Sequence, residues 1–422
     1  MGSQMTPEKE YEIEISTLVY GGDAMGRLAD GRAVFVPGAL PGERVRLRLV
    51  EDKPRFARGE LLAVLRASPD RIAVPEDEAA ACGGCHYQHI RYEAQLQAKT
   101  EILKDQLRRI AGVADPPVRA MIPSPKQWHY RNTAQFHLTP QGGLGFQEPG
   151  SHHVIAVQSC RLCEEPINEL LPMLTFDGAV EGVERIAIRA GAGEDLMVIF
   201  ESQDPRPPEL NVELPVSVVH LVVDEQGGTY PVVMAGDDHV VMEALGRPFR
   251  VSAGSFFQVN TLQAENMVRY LLEHLPLDPA ATLLEVYAGV GLFSAFLAPR
   301  VGRLAAVELA PAAVDDFAAN LDEFENVELY QGLAEEVLPA LDLPVDLVLV
   351  DPPRAGLALP ALDAITRSAP QFLAYVSCDP ATLARDAKRL LAAGYRLESV
   401  QPFDMFPQTY HIESISFFSR SS

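Results

Sequence analysis

From residue 8 to about 66 apolar and polar positions alternate, as in Tyr11-Glu12-Ile13-Glu14-Ile15 and Arg44-Val45-Arg46-Leu47-Arg48-Leu49, with turns at Gly21-Gly22, Asp30-Gly31 and Pro41-Gly42. A period of two broken by such turns predicts short strands, each burying one face, that close into a small β-barrel. Tyr92 to Ile110 carries a helical pattern rich in Gln, Lys and Arg. From about 120 to 250, β-type runs such as Thr133 to Leu138, Arg185 to Arg189 and Val216 to Val223 alternate with Gly and Pro turns, which predicts a mainly β central region. Beyond about 255 apolar strands at Thr282 to Val286, Leu304 to Val307, Asp346 to Val350 and Phe372 to Ser377 are separated by helical stretches. That alternation predicts a parallel α/β sheet of Rossmann-like type. Three domains follow: 1–72, 73–253 and 254–422.

With 47% apolar and 22% charged residues over 422 positions, the chain has enough apolar surface for several cores. No run of about 18 apolar residues and no basic-then-apolar leader is present, so no membrane partner is expected and the chain is placed in the cytoplasm. Its formal net charge of -23 argues against unselective attraction to a polyanion. Arg44, Arg46, Arg48, Lys53, Arg55 and Arg58 nevertheless lie close together, offset by Glu43, Glu51 and Asp52. They form either a local basic face or a solvated strand face balanced by acids elsewhere.

The candidate chemistry collects where apolar strands end. Leu283 to Val286 runs into Tyr287-Ala288-Gly289-Val290-Gly291, a loop that lets a ligand approach the backbone, and the next strand ends at Glu308, where a carboxylate accepts ribose hydroxyls. A dinucleotide fingerprint would need a third glycine at 294, which is Ser294. Leu347 to Val350 delivers Asp351, stiffened by Pro352 and Pro353, to the same crevice. Tyr375-Val376-Ser377-Cys378-Asp379-Pro380 ends a further strand on Cys378, the one cysteine outside two CxxC pairs, and Glu413 precedes the last apolar strand. A nucleophile and a carboxylate base are thereby available.

At this point the sequence closely resembles the uracil-5 RNA methyltransferase family. The match rests on Ser255-Phe256-Phe257-Gln258-Val259-Asn260, the Tyr287 to Gly291 loop, Asp351 to Arg354, Ser377 to Asp386 and His411 to Ser414. It implies a class I methyltransferase domain in which Gln258, Tyr287, Glu308 and Asp351 contact S-adenosylmethionine, Cys378 is the nucleophile and Glu413 the proton acceptor. It also implies an OB-like TRAM barrel at the N-terminus and RNA as the partner, with 23S ribosomal RNA preferred over transfer RNA and a monomeric enzyme. The sequence departs from the family at Leu292 and Leu333, which leaves the adenine contacts open.

Cys82-Gly83-Gly84-Cys85 and Cys160-Arg161-Leu162-Cys163 have metal-ligand spacing. Ribosomal members of the family carry a 4Fe-4S cluster on an earlier cysteine, a CxxC pair and one distant cysteine. Here the early position falls near Glu76 and Cys163 is extra. Four thiolates remain, which suit a 4Fe-4S cluster or, alternatively, zinc. The rival readings are a catalytically silent RNA-binding protein and a nicotinamide oxidoreductase. Retention of Cys378, Glu413 and Asp351 speaks against the first, Ser294 against the second.

Overall fold

The computed structural model describes residues 10–74, 83–148, 151–176, 178, 180–224 and 228–420. Strands β1 (Glu10–Leu18), β2 (Ala24–Arg27), β3 (Ala33–Val36), β4 (Arg44–Asp52) and β5 (Phe56–Arg66) close a barrel in the order β1-β2-β3-β5-β4. Ile13, Ile15, Val34, Val36, Val45 and Leu47 fill it, as the period of two requires. The polar positions between them face outward and pair across strands. Register sets Glu10, Glu12 and Glu14 opposite Arg48, Arg46 and Arg44. Arg44 meets Glu12 at 2.9 Å, Arg46 meets Glu12 at 3.4 Å, Arg48 meets Glu60 at 2.5 Å and Arg58 meets Asp23 at 2.8 Å. Each exposed pair adds little stability. With Lys53 beside Glu51 at 3.4 Å, these pairs balance every member of the basic run but Arg55, so of the two readings the balanced strand face is the one observed.

Helix α1 (Tyr92–Gln106) ends in a wider π-type turn over Leu107–Ala111. It packs against the last helix of the chain, described below, and buries Ile102 and Leu103 in a core shared with the barrel and the C-terminal sheet. The central sheet comprises β6 (Thr133–Leu138), β7 (Leu144–Gln147), β8 (Val154–Ala156), β9 (Val183–Ala190), β10 (Leu196–Ser202), β11 (Ser217–Val223) and β12 (Thr229–Ala235), ordered β12-β11-β10-β9-β6-β7-β8. Helix α2 (Glu165–Leu170) covers β9, and the hairpin β13 (His239–Ala244) with β14 (Arg247–Ser252) leads to α3 (Thr261–His274).

The C-terminal domain alternates β15 (Thr282–Val286), α4 (Ser294–Leu297), β16 (Arg303–Glu308), α5 (Pro311–Asn320), β17 (Val327–Gln331), α6 (Ala334–Ala340), β18 (Leu347–Val350), α7 (Leu359–Ser368), β19 (Phe372–Ser377) and α8 (Pro380–Ala392). Two further strands, β20 (Tyr395–Phe403) and β21 (Glu413–Arg420), complete a sheet ordered β17-β16-β15-β18-β19-β21-β20. The first five pair in parallel and β21 runs antiparallel to both neighbours. Both faces are covered, so the interiors of the central strands are apolar apart from Glu285 in β15. Leu284, Val286, Val348, Val350 and Tyr375 enter one core, while Leu283, Leu347, Leu349, Ala374 and Val376 enter the other.

Between β20 and β21 the chain loops through 404–412, and α1 holds this loop from beneath. Lys99 and Asp404 form a fully buried ion pair at 2.6 Å, and the Lys99 ammonium also donates to the Phe406 carbonyl at 3.0 Å. Gln95 donates to the Gln408 side chain at 2.9 Å and accepts from its backbone N–H at 3.1 Å. The Tyr130 hydroxyl donates to the Pro407 carbonyl at 3.0 Å. Asp404→Ala would strand the Lys99 charge in an apolar interior and is expected to cost about 3–5 kcal/mol. Replacing both partners together, as Lys99→Met with Asp404→Leu, should recover most of that loss in urea unfolding. Equal destabilisation by the single and double variants would show that the pair is held by packing alone.

Candidate active site

Chain order along the sheet reverses between β15 and β18, and the crevice at such a switch point is where open α/β sheets bind ligands. The carboxyl ends of β15, β16, β18 and β19 bring Tyr287, Glu308, Asp351 and Cys378 to that edge. The loop after β15 turns sharply there. Tyr287 has φ 66°, Gly289 φ 56° and Gly291 φ 87°. A Cβ on Gly291 would fall 2.4 Å from Leu321 Cδ1, so conformation and crowding both demand glycine. The Tyr287 N–H donates to the Val307 carbonyl at 2.9 Å, tying the loop to the neighbouring strand. Glu308 completes the tie. One carboxylate oxygen accepts the Gly289 N–H at 2.8 Å and the other accepts the Leu309 and Ala310 N–H groups, each at 2.8 Å.

Glu285, inside β15, was not singled out from the sequence. Its carboxyl is buried, accepts the Ser294 hydroxyl and is pushed up to about 8 by desolvation, with Asp351 and Glu308 adding to the effect. The signal was an acid inside an apolar strand next to a glycine loop. Ser294, at the place of the missing third glycine, is thereby that acid's hydrogen-bond partner. Leu292 is buried in the core, whereas Leu333 precedes α6 at the end of β17 and is 37% exposed.

Cys378 and Glu413 come together through strand register. Ser377, the last residue of β19, pairs with Ser414 of the antiparallel β21, so the next residue outward on each strand is Cys378 on one and Glu413 on the other. The Ser377 hydroxyl donates to the Asp379 carbonyl at 3.0 Å and accepts the Asp379 N–H at 3.2 Å, which closes a tight turn around the cysteine. Burial first, then the charges of Glu413 and Asp351, push the Cys378 thiol up to about 12, with the Arg354 guanidinium opposing them. Glu413 is raised well above the ordinary carboxylate range by desolvation and by Asp351, again opposed by Arg354. Asp351 is raised to about 7 by desolvation. Four groups thus act on one another at one sheet edge.

Gln258 is buried, and its backbone carbonyl accepts from Asn132 at 2.8 Å. Two residues on, Asn260 caps α3 and donates to the Met405 carbonyl at 3.1 Å, which ties this motif to the end of β20 beside Glu413. Phe256, which the sequence gives only as part of this motif and without a role, is 66% exposed. Of the four metal candidates, Cys82 lies outside the described residues. Cys160 and Cys163 hydrogen-bond through their sulfurs, and Cys85 is near enough for its charge to act on Cys163. Backbone N–H groups of Leu162 and Cys163 also point at the Cys160 sulfur, a setting that favours thiolate. Among the described residues no group of three or more His, Cys, Asp or Glu side chains is placed to hold a metal ion.

Comparison with known proteins agrees with this geometry. Residues 238–421 match the family model described as tRNA (Uracil-5-)-methyltransferase, and residues 5–62 match the TRAM domain. An uncharacterized RNA methyltransferase of Streptomyces avermitilis is 35% identical over 97% of this chain and 98% of its own length. One from Halalkalibacterium halodurans is 34% identical over 99% of each chain. The crystal structure of Pyrococcus abyssi tRNA (uracil-54, C5)-methyltransferase, in complex with S-adenosyl-L-homocysteine, is similar over 96% of this chain and 100% of that one, with a TM-score of 0.72 and 25% identity. The α/β domain is a class I methyltransferase domain that uses S-adenosylmethionine, and the closed barrel before it is a TRAM domain. The chain belongs to the RNA uracil-5 methyltransferase family.

Because burial and the neighbouring acids push the thiol up to about 12, Cys378 should react with iodoacetamide far more slowly than a free cysteine at pH 8. Its rate should climb with pH across the alkaline range. Glu413→Gln removes a neighbouring negative charge, so it should shift the profile to lower pH and speed alkylation at fixed pH. Fast alkylation of the wild type at pH 8 would contradict this electrostatic description.

Proposed function

We propose that the enzyme methylates C5 of a uridine in 23S ribosomal RNA through a covalent bond between Cys378 and C6 of the uracil. The observation that carries this reading is the β19–β21 register, which sets a cysteine against a buried carboxylate at the ligand-binding edge of the sheet. C5 of uracil is too weak a nucleophile to attack a methyl sulfonium unaided. Bound S-adenosylmethionine supplies the electrophilic methyl group, held by Gln258, Tyr287, Glu308 and Asp351. The Cys378 thiolate bonds to C6, and the C5–C6 π electrons move into an enolate spanning C5 and O4. C5 takes the methyl group as the methyl–sulfur bond breaks, its electron pair staying on the sulfur of the departing S-adenosyl-L-homocysteine. Glu413 removes the C5 proton, the carbon–sulfur bond breaks, and the restored double bond leaves 5-methyluracil and a free thiolate. Its raised pKa makes the Glu413 carboxylate, once ionised, a stronger base for this step. Chemistry in so recessed a site requires the uracil to leave its stack. The exposed Phe256 ring offers a surface to receive it.

Ribosomal RNA as substrate is supported by the cysteine pairs, which resemble the cluster-bearing ribosomal members. Transfer RNA is the second reading, favoured by the full-length likeness to the Pyrococcus abyssi enzyme, a likeness over 96% of this chain that leaves the barrel unable to discriminate between the two. At the cysteines we propose a 4Fe-4S cluster, with zinc as the alternative, held by Cys82, Cys85, Cys160 and Cys163. Such a group would act structurally, stapling the loop before α1 to the central domain. The reading also carries a monomeric enzyme working in the cytoplasm.

Cys378→Ala should abolish methyl transfer while leaving affinity for S-adenosyl-L-homocysteine unchanged, because the thiol acts on the uracil. Glu413→Gln should lower turnover by about 10²–10⁴-fold and accumulate RNA bonded to the protein. Normal product release by Glu413→Gln would assign the base elsewhere. Mapping 5-methyluridine in ribosomal and transfer RNA of cells with and without the gene decides the substrate. Metal analysis of anaerobically purified protein decides the cysteines, with about four irons and sulfide for the cluster and one zinc for the alternative. Neither metal would leave the CxxC pairs as free thiols.

A further inference from the structure

The Cys378 turn is gripped from a distant part of the chain. Asp379 caps α8 with one carboxylate oxygen, which accepts the Ala381 N–H at 3.0 Å and the Thr382 N–H at 2.8 Å. Its other oxygen accepts the Tyr20 hydroxyl at 2.9 Å. Tyr20 belongs to the β1–β2 turn of the barrel, 359 residues away in sequence. The same turn touches the far side of the site. The Tyr20 ring meets the Tyr410 ring edge-on at 6.0 Å, and a Cβ on Gly22, where φ is +96°, would lie 3.0 Å from Tyr410. Tyr410 in turn packs on His411 at 4.4 Å, two residues before Glu413. The turn itself is braced by the Val19 N–H donating to the Asp23 carbonyl at 2.9 Å and by the Arg58–Asp23 pair.

We propose that Tyr20 is a positioning residue of the active site, through which the TRAM barrel fixes the turn carrying Cys378 against the segment carrying Glu413. This rests on the reading of Cys378 as nucleophile. Beyond fixing geometry, the hydroxyl acts on charge. Asp379 is one of the anions that hold the Cys378 proton, alongside Glu413 and Asp351 and against Arg354. A donor on Asp379 disperses its charge and eases ionisation of the thiol. The barrel, whose arginines are largely paired with acids, thus serves the catalytic centre directly and not only as a surface for RNA.

Tyr20→Phe removes the hydroxyl and keeps the ring on Tyr410. In the full-length enzyme it should lower kcat about tenfold or more, the size of a hydrogen bond to a charged group. KM for RNA and affinity for S-adenosyl-L-homocysteine should stay within about twofold of wild type. Alkylation of Cys378 by iodoacetamide at pH 9, followed by peptide mass spectrometry, should slow severalfold while Cys160 and Cys163 react as before. Wild-type kcat and alkylation in Tyr20→Phe would overturn the proposal, as would a loss confined to KM for RNA, which would make Tyr20 an RNA contact. Cys378→Ala assayed beside it separates the two claims. Turnover in that variant would remove the nucleophile assignment, whereas the alkylation rate reads the Tyr20 contact without any turnover.

Discussion

The pairing of β19 with β21 is the constraint on which the site depends. The parallel neighbour β18 brings Asp351 to the carboxyl edge near Cys378, and a second carboxylate reaches that edge from the antiparallel side. An antiparallel strand beside β19 presents its amino end at that edge, and Glu413 is the residue found there. A slip of one residue would carry Glu413 to the other face of the sheet and place the core residues Ile415 and Phe417 in the wrong layer. Apolar burial on both faces therefore fixes where the cysteine and the carboxylate stand relative to each other. Register, not loop flexibility, joins the two groups.

The other parts of the molecule hold the loop that makes this pairing possible. Residues 404–412 must cross the carboxyl edge between β20 and β21, and their backbone groups are met by Lys99, Gln95 and Tyr130 from outside the C-terminal domain. The buried Lys99–Asp404 ion pair ties the start of this loop to α1. The barrel adds a second hold through Tyr20 and Tyr410. Domains that look separable in sequence therefore converge on a few atoms.

Much of this was legible in the chain. The strands over 133–138, 282–286 and 372–377 lie where alternation and apolar runs placed them, since burial on one face or two imposes those periods directly. Cys378, Glu308 and Asp351 were legible because each ends an apolar strand. What escaped was long-range. Nothing near Tyr20 in sequence signals a partner at Asp379, and nothing near Lys99 signals one at Asp404. Glu285 was hidden by its own strand, where a single acid reads as an interruption of the apolar run. Arg44, Arg46 and Arg48 show the converse, a local cluster that the sequence leaves open between a basic and a balanced face and that pairing with acids on β1 and β5 decides.

The central claim is a covalent bond between Cys378 and the target uracil, and fluorine at C5 can make that bond permanent. With a 5-fluorouridine RNA and S-adenosylmethionine, methylation would leave C5 with no proton for Glu413 to remove, and the cysteine could not be expelled. Mass spectrometry of the digested protein should then find a methylated fluorouracil nucleotide on the peptide containing Cys378, and on no other cysteine. Absence of any adduct under conditions where natural RNA is methylated, or an adduct on a different residue, would contradict the account.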